Sequence, residues 1–537
     1  MPHALKQKKR HLLRIIIPAY PAFNIYSFLA HKTTALGPVC VATAAKEVPG
    51  WDVEVIDENN LRLFGPRDNA GGTDHALLER LRPADVVGFY GGLTSTIPRL
   101  YQLARFYKEA GAITLAGGQH FVDETLDEAL SSGLDYVAIG EGEETIKEFL
   151  GALGNHGGFN RVRGLAWRDD KKIVRTPPRE PLTDFDGLPL PDFSLLRYAK
   201  VKIFPVGRIR GCAMHCEFCT VKSHLRFASP ERLLENYRLL VETKNARHFF
   251  IVDDLFGQQR NETIRFCRLL QDYQATINRK LNTTVQIRLD KAKNPELLTA
   301  MRHAGIHCVA IGFESPVEEE LLAMNKHLRP QDMISLARTY HDFGFLVHGM
   351  FIFGYPLQEG RTLRLSVGER IRQTKDFIRK AKIDTIQVLL PVPLPGTELR
   401  ARLQDRVFLR KDMGWEYYDG NFPLFEPTPP LTPEDMQLAV RKLMGKFYEF
   451  KYMFYIAMKI FLFPGLVLPW FNIKSGWARW YRNWRNYLIR FGGWITIRGW
   501  AEKIHKDNFL QKLDTARKHL GARTSQAAGP HKGPPPA

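Results

Sequence analysis

Cysteine is scarce in this chain, with six residues among 537. So low a density excludes a disulfide scaffold and leaves metal or redox chemistry for any cysteines that cluster. Long apolar runs are missing as well. No stretch of roughly twenty apolar residues occurs, so no helix is expected to span a bilayer. The opening "MPHALKQKKRHLLRIIIPAYPAF" is basic, but its apolar run is too short for a signal peptide and is cut by Pro18 and Pro21. A cytoplasmic location is the resulting expectation. Acid is in deficit, with 57 Asp and Glu against 76 Lys and Arg, and the net charge of +19 asks for an anionic neighbour. What remains is ordinary: 44% apolar and 25% charged residues describe a folded chain rather than a disordered one. Its length predicts about two to four domains.

Residues 1–155 alternate strand and helix patterns. "LLRIIIP" is a continuous apolar run, as a buried parallel strand requires, and "DVEVID", "ADVVGFYGG", "AITLAGG" and "DYVAIGEGE" follow at wide intervals. This predicts a doubly wound, Rossmann-like parallel α/β domain. Several strands end in glycine pairs, which let backbone approach a ligand at the carboxyl ends of the strands. Residues 156–197, rich in proline and acid, read as an extended linker. A second alternating series fills 198–425. Its "SPERLLENYRLLVETK" has Ser229 as N-cap and Pro230 at the first helical position, and "NPELLTAMRHAG" is opened by Asn294 and closed by Gly305. Six βα steps predict a partial parallel (β/α)6 barrel. Residues 426–520 form a mostly helical, aromatic and basic region, and 521–537 a low-complexity tail expected to be disordered.

Half of the cysteine lies in one short stretch, "RGCAMHCEFCTV", as Cys212, Cys216 and Cys219. Thiolates bind soft metals, and His215 could complete a zinc site. The alternative is a four-iron cluster left one ligand short, whose open iron can bind a cofactor or substrate. The loop follows the first strand of the predicted barrel, at the face where such folds do chemistry. Cys267 in a helical pattern and Cys308 in a strand are expected to be small buried apolar residues.

"CAMHCEFC", with Phe218 before the last cysteine, resembles the signature of the radical S-adenosylmethionine (SAM) superfamily. The resemblance implies a [4Fe-4S] cluster on Cys212, Cys216 and Cys219, a unique iron that chelates SAM, and reductive cleavage of SAM to a 5′-deoxyadenosyl radical. It covers about residues 202–399. It also assigns SAM contacts to Phe218, to Asp253 and Asp254 in "VDD", to Glu314 and Ser315 in "GFES", and to Gly349 and Gly354 in "GMFIFG", with either of the two aspartates as the amino-group partner.

The first domain, over about residues 12–153, resembles the cobalamin-binding domain of the class B radical SAM enzymes. The stretches that carry the likeness are "LGPVCVATAAKE", "GFYGGLTSTIP", "LAGGQHFVDETLDEAL" and "AIGEGEET". The implied cobalamin contacts are Gly37, Gly91, Gly92, Thr94, Ser95, Gly117, Gly118, His120, Gly140, Glu141 and Gly142. No D-x-H-x-x-G occurs, so cobalamin is expected with its lower face free of histidine.

Together the two resemblances imply a methyltransferase acting on an unactivated carbon of a small or lipid-like metabolite. One SAM methylates cobalamin, a second supplies the radical, and the cofactors carry the hard chemistry. A reductant such as a flavodoxin or ferredoxin is the implied partner. The alternatives are a cyclase or rearrangement enzyme without methyl transfer and an RNA-modifying enzyme. The RNA-modifying class carries a second three-cysteine cluster, whereas only Cys40 precedes the linker here, and a nucleic-acid partner is not expected. "KIFLFPGLVLPWFNIK" at 459–474 is too short and proline-broken to span a membrane. The next segment interleaves Trp477, Trp480 and Trp484 with Arg479, Arg482 and Arg485. That pattern suits peripheral contact with an anionic membrane surface, or else aromatics that cover the barrel.

Overall fold

The computed structural model describes residues 10–527 apart from 156, 327, 409–411, 450–453, 455–457, 459–472, 506 and 508. The first five strands are β1 (His11–Ile17), β2 (Trp51–Asp57), β3 (Val86–Tyr90), β4 (Ile113–Gly117) and β5 (Tyr136–Ala138), all parallel. The apolar run of β1 is buried along almost its whole length because helices cover both faces of the sheet.

The segment read as a linker is more structured than its composition suggests. Residues Leu165–Asp169 (β6) and Lys172–Arg175 (β7) form an antiparallel hairpin on the edge of β5, and Leu196–Arg197 (β8) pairs parallel with β2. The finished sheet runs β7-β6-β5-β4-β3-β1-β2-β8. The proline and acid content hides a turn signal, with Asp170 in the left-handed region at φ 51°. Both outer edges of the five-stranded core are thereby paired.

The second sheet is a six-stranded open parallel array in the order β9-β12-β13-β14-β15-β16. Its strands are β9 (Ile203–Val206), β12 (His248–Phe256), β13 (Asn282–Ile287), β14 (Ile306–Glu314), β15 (Leu346–Ile352) and β16 (Thr385–Leu389). Between β9 and β12 lies a short antiparallel hairpin, β10 (Ile209–Arg210) with β11 (Arg226–Phe227), and the cysteine stretch is its loop. Local capping chemistry sets the helix starts. The Ser229 side chain accepts from the Arg232 N–H, and Asn294 accepts from Leu297. Gly305 and Gly344 follow their helices in the left-handed conformation that ends them.

The helices Pro433–Phe447, Ile473–His505 and Phe509–Ala527 complete the described chain. Val440, Trp500, Ile504, Phe509 and Leu513 join the same apolar core as the second sheet. Trp500 is buried and Trp494 packs against that core, so these two aromatics cover the enzyme body. The 459–474 segment lies almost wholly outside the described residues. The last helix continues to Ala527, beyond the start expected for a disordered tail, because Ala, Arg and Gln in "GARTSQA" sustain a helix. Among the described residues no helix is long and apolar enough to cross a membrane.

Candidate active site

The β10–β11 hairpin fixes the base of the cysteine loop. Gly211 takes φ 86°, and a Cβ there would stand 2.2 Å from the His224 carbonyl oxygen. Only glycine closes this turn without displacing backbone. The Gly211 N–H donates to Asp254 Oδ2 at 3.0 Å, and the Cys212 N–H donates to the Ser223 carbonyl at 3.0 Å. Within the loop the Cys219 N–H donates to the Cys216 carbonyl, and Lys222 Nζ donates to the same oxygen.

All three loop thiols are free, and Cys216 and Cys219 lie where burial pushes their thiols up. Among the described residues no three His, Cys, Asp or Glu side chains gather closely enough to hold one ion, and His215 is exposed. A cluster ligated through separate irons needs its thiolates farther apart than a single ion does. Three free thiols on one pinned loop would supply one ligand to each of three irons.

Glu217 inside the loop is the loop's anchor. Its carboxylate pairs with the Arg402 guanidinium through Nε and through Nη2, the latter at 2.9 Å, and accepts from the Tyr355 hydroxyl at 2.6 Å. The Phe218 ring packs edge-on against the same Tyr355, with centroids 6.0 Å apart.

The adjacent acids of β12 take different tasks. Asp253 is buried, and its Oδ1 accepts from the backbone N–H of Arg208 at 2.7 Å and of Ile209 at 2.9 Å. Burial pushes its carboxyl up to about 7 against the pull of those amides. Asp254 instead faces a cavity and touches the cysteine loop through Gly211. Asp253→Ala should strand two buried amides and cost about 1–3 kcal/mol. Asp253→Asn keeps an acceptor and should cost less. A raised carboxyl pKa means that this group's stabilisation is present at acid pH and is lost as pH rises from the ordinary carboxylate range to about 7. Thermal melts from pH 5 to 8 should therefore fall less steeply for Asp253→Asn than for the wild type.

Further along the second sheet, Glu314 sits at φ 63° and accepts from Lys326 Nζ at 2.5 Å. Ser315 is buried and bonds Glu320, which in turn pairs with Arg370 at 2.6 Å. That network holds the end of β14 in place and leaves Glu314 as the outward group. Gly349 lies where a Cβ would press on Phe351 and Ile383, and Gly354 turns the chain at φ 74° against Met436.

A cavity of about 470 Å³ lies between the two sheets. Its floor is apolar backbone and side chain of β1, β3 and β4, with Tyr90 at one side. Of the glycine turns implicated by sequence, Gly37, Gly117, Gly118, Gly140 and Gly142 line it, together with Glu141. Its far wall is Phe185 of the connecting segment and Val206 to Arg210 of the second sheet, and it ends at Asp254. Among the described residues no histidine lines it. Gly91 and Gly92 serve it indirectly: a Cβ on Gly118 would come within 2.5 Å of the Gly91 carbonyl carbon, so the turns after β3 and β4 nest backbone on backbone. Thr94, Ser95 and His120 do not line it. They are buried toward the carboxyl-terminal region, where the His120 ring meets Trp415 edge-on at 4.9 Å.

Glu141 is more than a lining residue. It accepts from Arg226 at 2.8 Å, from Arg210 at 3.3 Å and from the Leu182 N–H at 2.7 Å. Burial works against its charge, but the Arg226 and Leu182 hydrogen bonds and the two arginines hold its carboxyl below the ordinary range. Glu143 also bonds Arg210, and the guanidinium groups of Arg210 and Arg226 both stack on Phe185. The turn after β5 is thus tied to both strands at the base of the cysteine loop. Sequence reasoning missed Glu143, Phe185, Arg210, Arg226, Glu217 and Arg402, although two acids in "GEGE" and a carboxylate between two cysteines were available as signals.

Residues 206–365 match the Radical SAM superfamily and residues 29–150 the B12 binding domain, together more than half of the chain. The chain belongs to the cobalamin-dependent radical SAM enzyme family. It is therefore a radical SAM enzyme, in a family that works with a [4Fe-4S] cluster, SAM and cobalamin. It is 28% identical to an uncharacterized methyltransferase of Pyrococcus horikoshii over 77% of this chain and 87% of the relative. An anaerobic magnesium-protoporphyrin IX monomethyl ester cyclase of Synechocystis is 27% identical over 55% of this chain and 62% of its own. The hopanoid C-2 methylase of Rhodopseudomonas palustris is 26% identical over 50% and 49%. Among solved structures, the cobalamin-dependent SAM radical enzyme OxsB shares the fold with a TM-score of 0.61, at 14% identity over 96% of this chain and 84% of that one.

Proposed function

We propose that this radical SAM enzyme is a cobalamin-dependent methyltransferase acting on an unactivated carbon of a small or lipid-like metabolite. One observation carries the reading. The inter-sheet cavity reaches from the glycine turns of the first sheet to Asp254 and Arg210, at the foot of the loop that bears Cys212, Cys216 and Cys219. A methyl carrier bound against the first sheet would therefore lie beside the foot of the loop at which the radical would be generated. The relatives from Pyrococcus and Rhodopseudomonas are methyltransferases, which supports methyl transfer over cyclisation.

In this reading the chain's own residues bind, orient and exclude water. The apolar floor and Tyr90 would hold the flat ring system of cobalamin, which would supply methyl-group chemistry there. Asp254, not Asp253, meets the SAM amino group, because only Asp254 stands on the cavity side. Glu314, which pairs with Lys326, would hold the ribose hydroxyls. When bound, the cofactors supply the methyl group and the radical, and a flavodoxin- or ferredoxin-type reductant supplies the electron.

Three measurements test this. Anaerobically loaded protein should give a cob(II)alamin EPR spectrum without nitrogen splitting from a lower ligand, and a histidine-on spectrum would contradict the assignment. Asp254→Asn should raise the SAM concentration needed for half-maximal deoxyadenosine formation by about tenfold or more, the size of one lost charge-assisted contact. Asp253→Asn should not. Metabolites of a deletion strain should lack one methylene increment in the product, and an unchanged methylation pattern with a missing ring would favour the cyclase.

Peripheral contact with an anionic membrane through the aromatic, basic residues after Lys446 is part of the proposed localisation. Leu488→Glu with Ile495→Glu, two exposed residues of the helix Ile473–His505, should weaken co-sedimentation with anionic vesicles, and unchanged binding would count against this contact.

A further inference from the structure

Three loops leave the carboxyl ends of the neighbouring strands β1, β2 and β8 and meet at one corner of the first sheet. Arg62 joins them, donating through Nη2 to the carbonyls of His31 at 2.9 Å and of Lys200 at 2.6 Å. The Phe64 ring lies 6.4 Å from that of Tyr198, and the Lys202 N–H donates to the Lys32 carbonyl at 2.8 Å.

The corner exposes four large apolar side chains together. Leu63 is 86% exposed, Phe64 73%, Phe28 49% and Leu29 48%. Large apolar groups scattered singly need no explanation, but two protruding pairs on loops that Arg62 ties together do. Around them stand Lys32, Arg62, Arg67, Arg197, Lys200 and Lys202, and the stretches 26–35, 61–67 and 195–204 contain no Asp or Glu. The nearest acid on the loop after β2, Asp68, is turned onto its own loop amides at Ala70 and Gly72. Lys32 Nζ lies 4.4 Å from the centre of the Phe28 ring, with its stem along the apolar surface.

We propose that this corner docks on an anionic lipid bilayer, with Phe28, Leu29, Leu63 and Phe64 entering the headgroup layer and the surrounding cations meeting lipid phosphate. Apolar side chains inside a ring of Lys and Arg match the two demands of an interfacial anchor. A second copy of the chain fits badly, because two-fold pairing would set six cations against the same six. The loops leave the same end of the sheet as the turns after β4 and β5 that line the cavity, so docking turns the cofactor end of the first sheet toward the bilayer. This surface is separate from the residues after Lys446 and stands whether or not they bind lipid.

Co-sedimentation of the full chain with phosphatidylcholine vesicles, with and without phosphatidylglycerol, tests it. The wild type should bind only the anionic vesicles and be released by high salt. Leu63→Glu with Phe64→Glu, and separately Lys200→Glu with Lys202→Glu, should each lower binding about tenfold or more, the scale set by one or two lost apolar or cationic contacts. Leu81→Glu, an exposed leucine just before the amino end of β3 and so at the opposite end of the first sheet, should bind as wild type. Amide exchange on anionic vesicles should slow in 26–35 and 61–67. Wild-type binding by both double variants, or protection confined to residues after Lys446, overturns the proposal. So does lipid-free self-association that Leu63→Glu with Phe64→Glu abolishes.

Discussion

Replacing Cys212, Cys216 and Cys219 together with Ala is expected to remove the iron and sulfide of anaerobically reconstituted protein and to end 5′-deoxyadenosine formation altogether. Each thiolate holds one iron, and no other described side chains gather to substitute for them. The other cysteines serve as internal controls. Cys267 is fully buried in the helix Arg260–Thr276, and burial pushes its thiol up to about 12, so it stays a packed neutral group. Cys40 lines the cavity, and burial likewise pushes its thiol up to about 12. Cys40→Ala and Cys267→Ala should keep both cluster and SAM cleavage. The loop's frame rests on backbone hydrogen bonds and on Glu217, so the triple variant should still melt cooperatively near the wild type. Deoxyadenosine from that folded variant would remove the basis for the cluster assignment.

Arg402→Ala should be nearly as damaging, although Arg402 lies far from the cysteines in sequence. The substitution leaves the buried Glu217 carboxylate with only the Tyr355 hydroxyl as a partner. Breaking a buried ion pair from one side costs about 3–5 kcal/mol, and the strain falls on the residue between Cys216 and Phe218. The expected result is a lower melting temperature and loss of iron on anaerobic gel filtration. Adding Glu217→Gln removes the stranded charge and keeps an acceptor for Tyr355, so the double variant should recover much of the stability and iron retention. If Arg402→Ala keeps its iron and melts with the wild type, the ion pair is not the loop's anchor.

The docking corner bears on the large positive charge of the chain. A net charge of +19 is a global number that fits nucleic acid, lipid or nothing in particular. The fold gathers part of it around protruding apolar groups on three stretches that carry no acid, and that arrangement gives the charge a specific use.

What the sequence by itself determined is what depends on spacing along the chain. The C-x3-C-x2-C run places three thiols on one loop whatever surrounds them. The strand-ending glycines mark the carboxyl ends where ligands bind, and the count of βα steps fixed the six strands of the second sheet. Cap residues such as Ser229 and Asn294 act within one helical turn, so they too could be read directly. Only the tertiary structure decided matters that depend on partners distant in sequence. Asp253 and Asp254 are chemically identical neighbours, and they differ because one meets the amides of Arg208 and Ile209 while the other meets the cavity. Glu141 reads from sequence only as a cofactor contact; that it also ties the cavity to Arg210 and Arg226, some seventy to eighty-five residues away, only the fold shows. The strands of 165–197 were hidden by proline and acid because edge pairing draws on the partner strand more than on local preference. The membrane-docking corner is built from three stretches that are unremarkable separately; Arg62 and the backbone bond between Lys32 and Lys202 bring them together. Side-chain spacing is fixed by covalent geometry, whereas a buried carboxylate takes whatever donors packing delivers to it, and those donors are set by the whole fold.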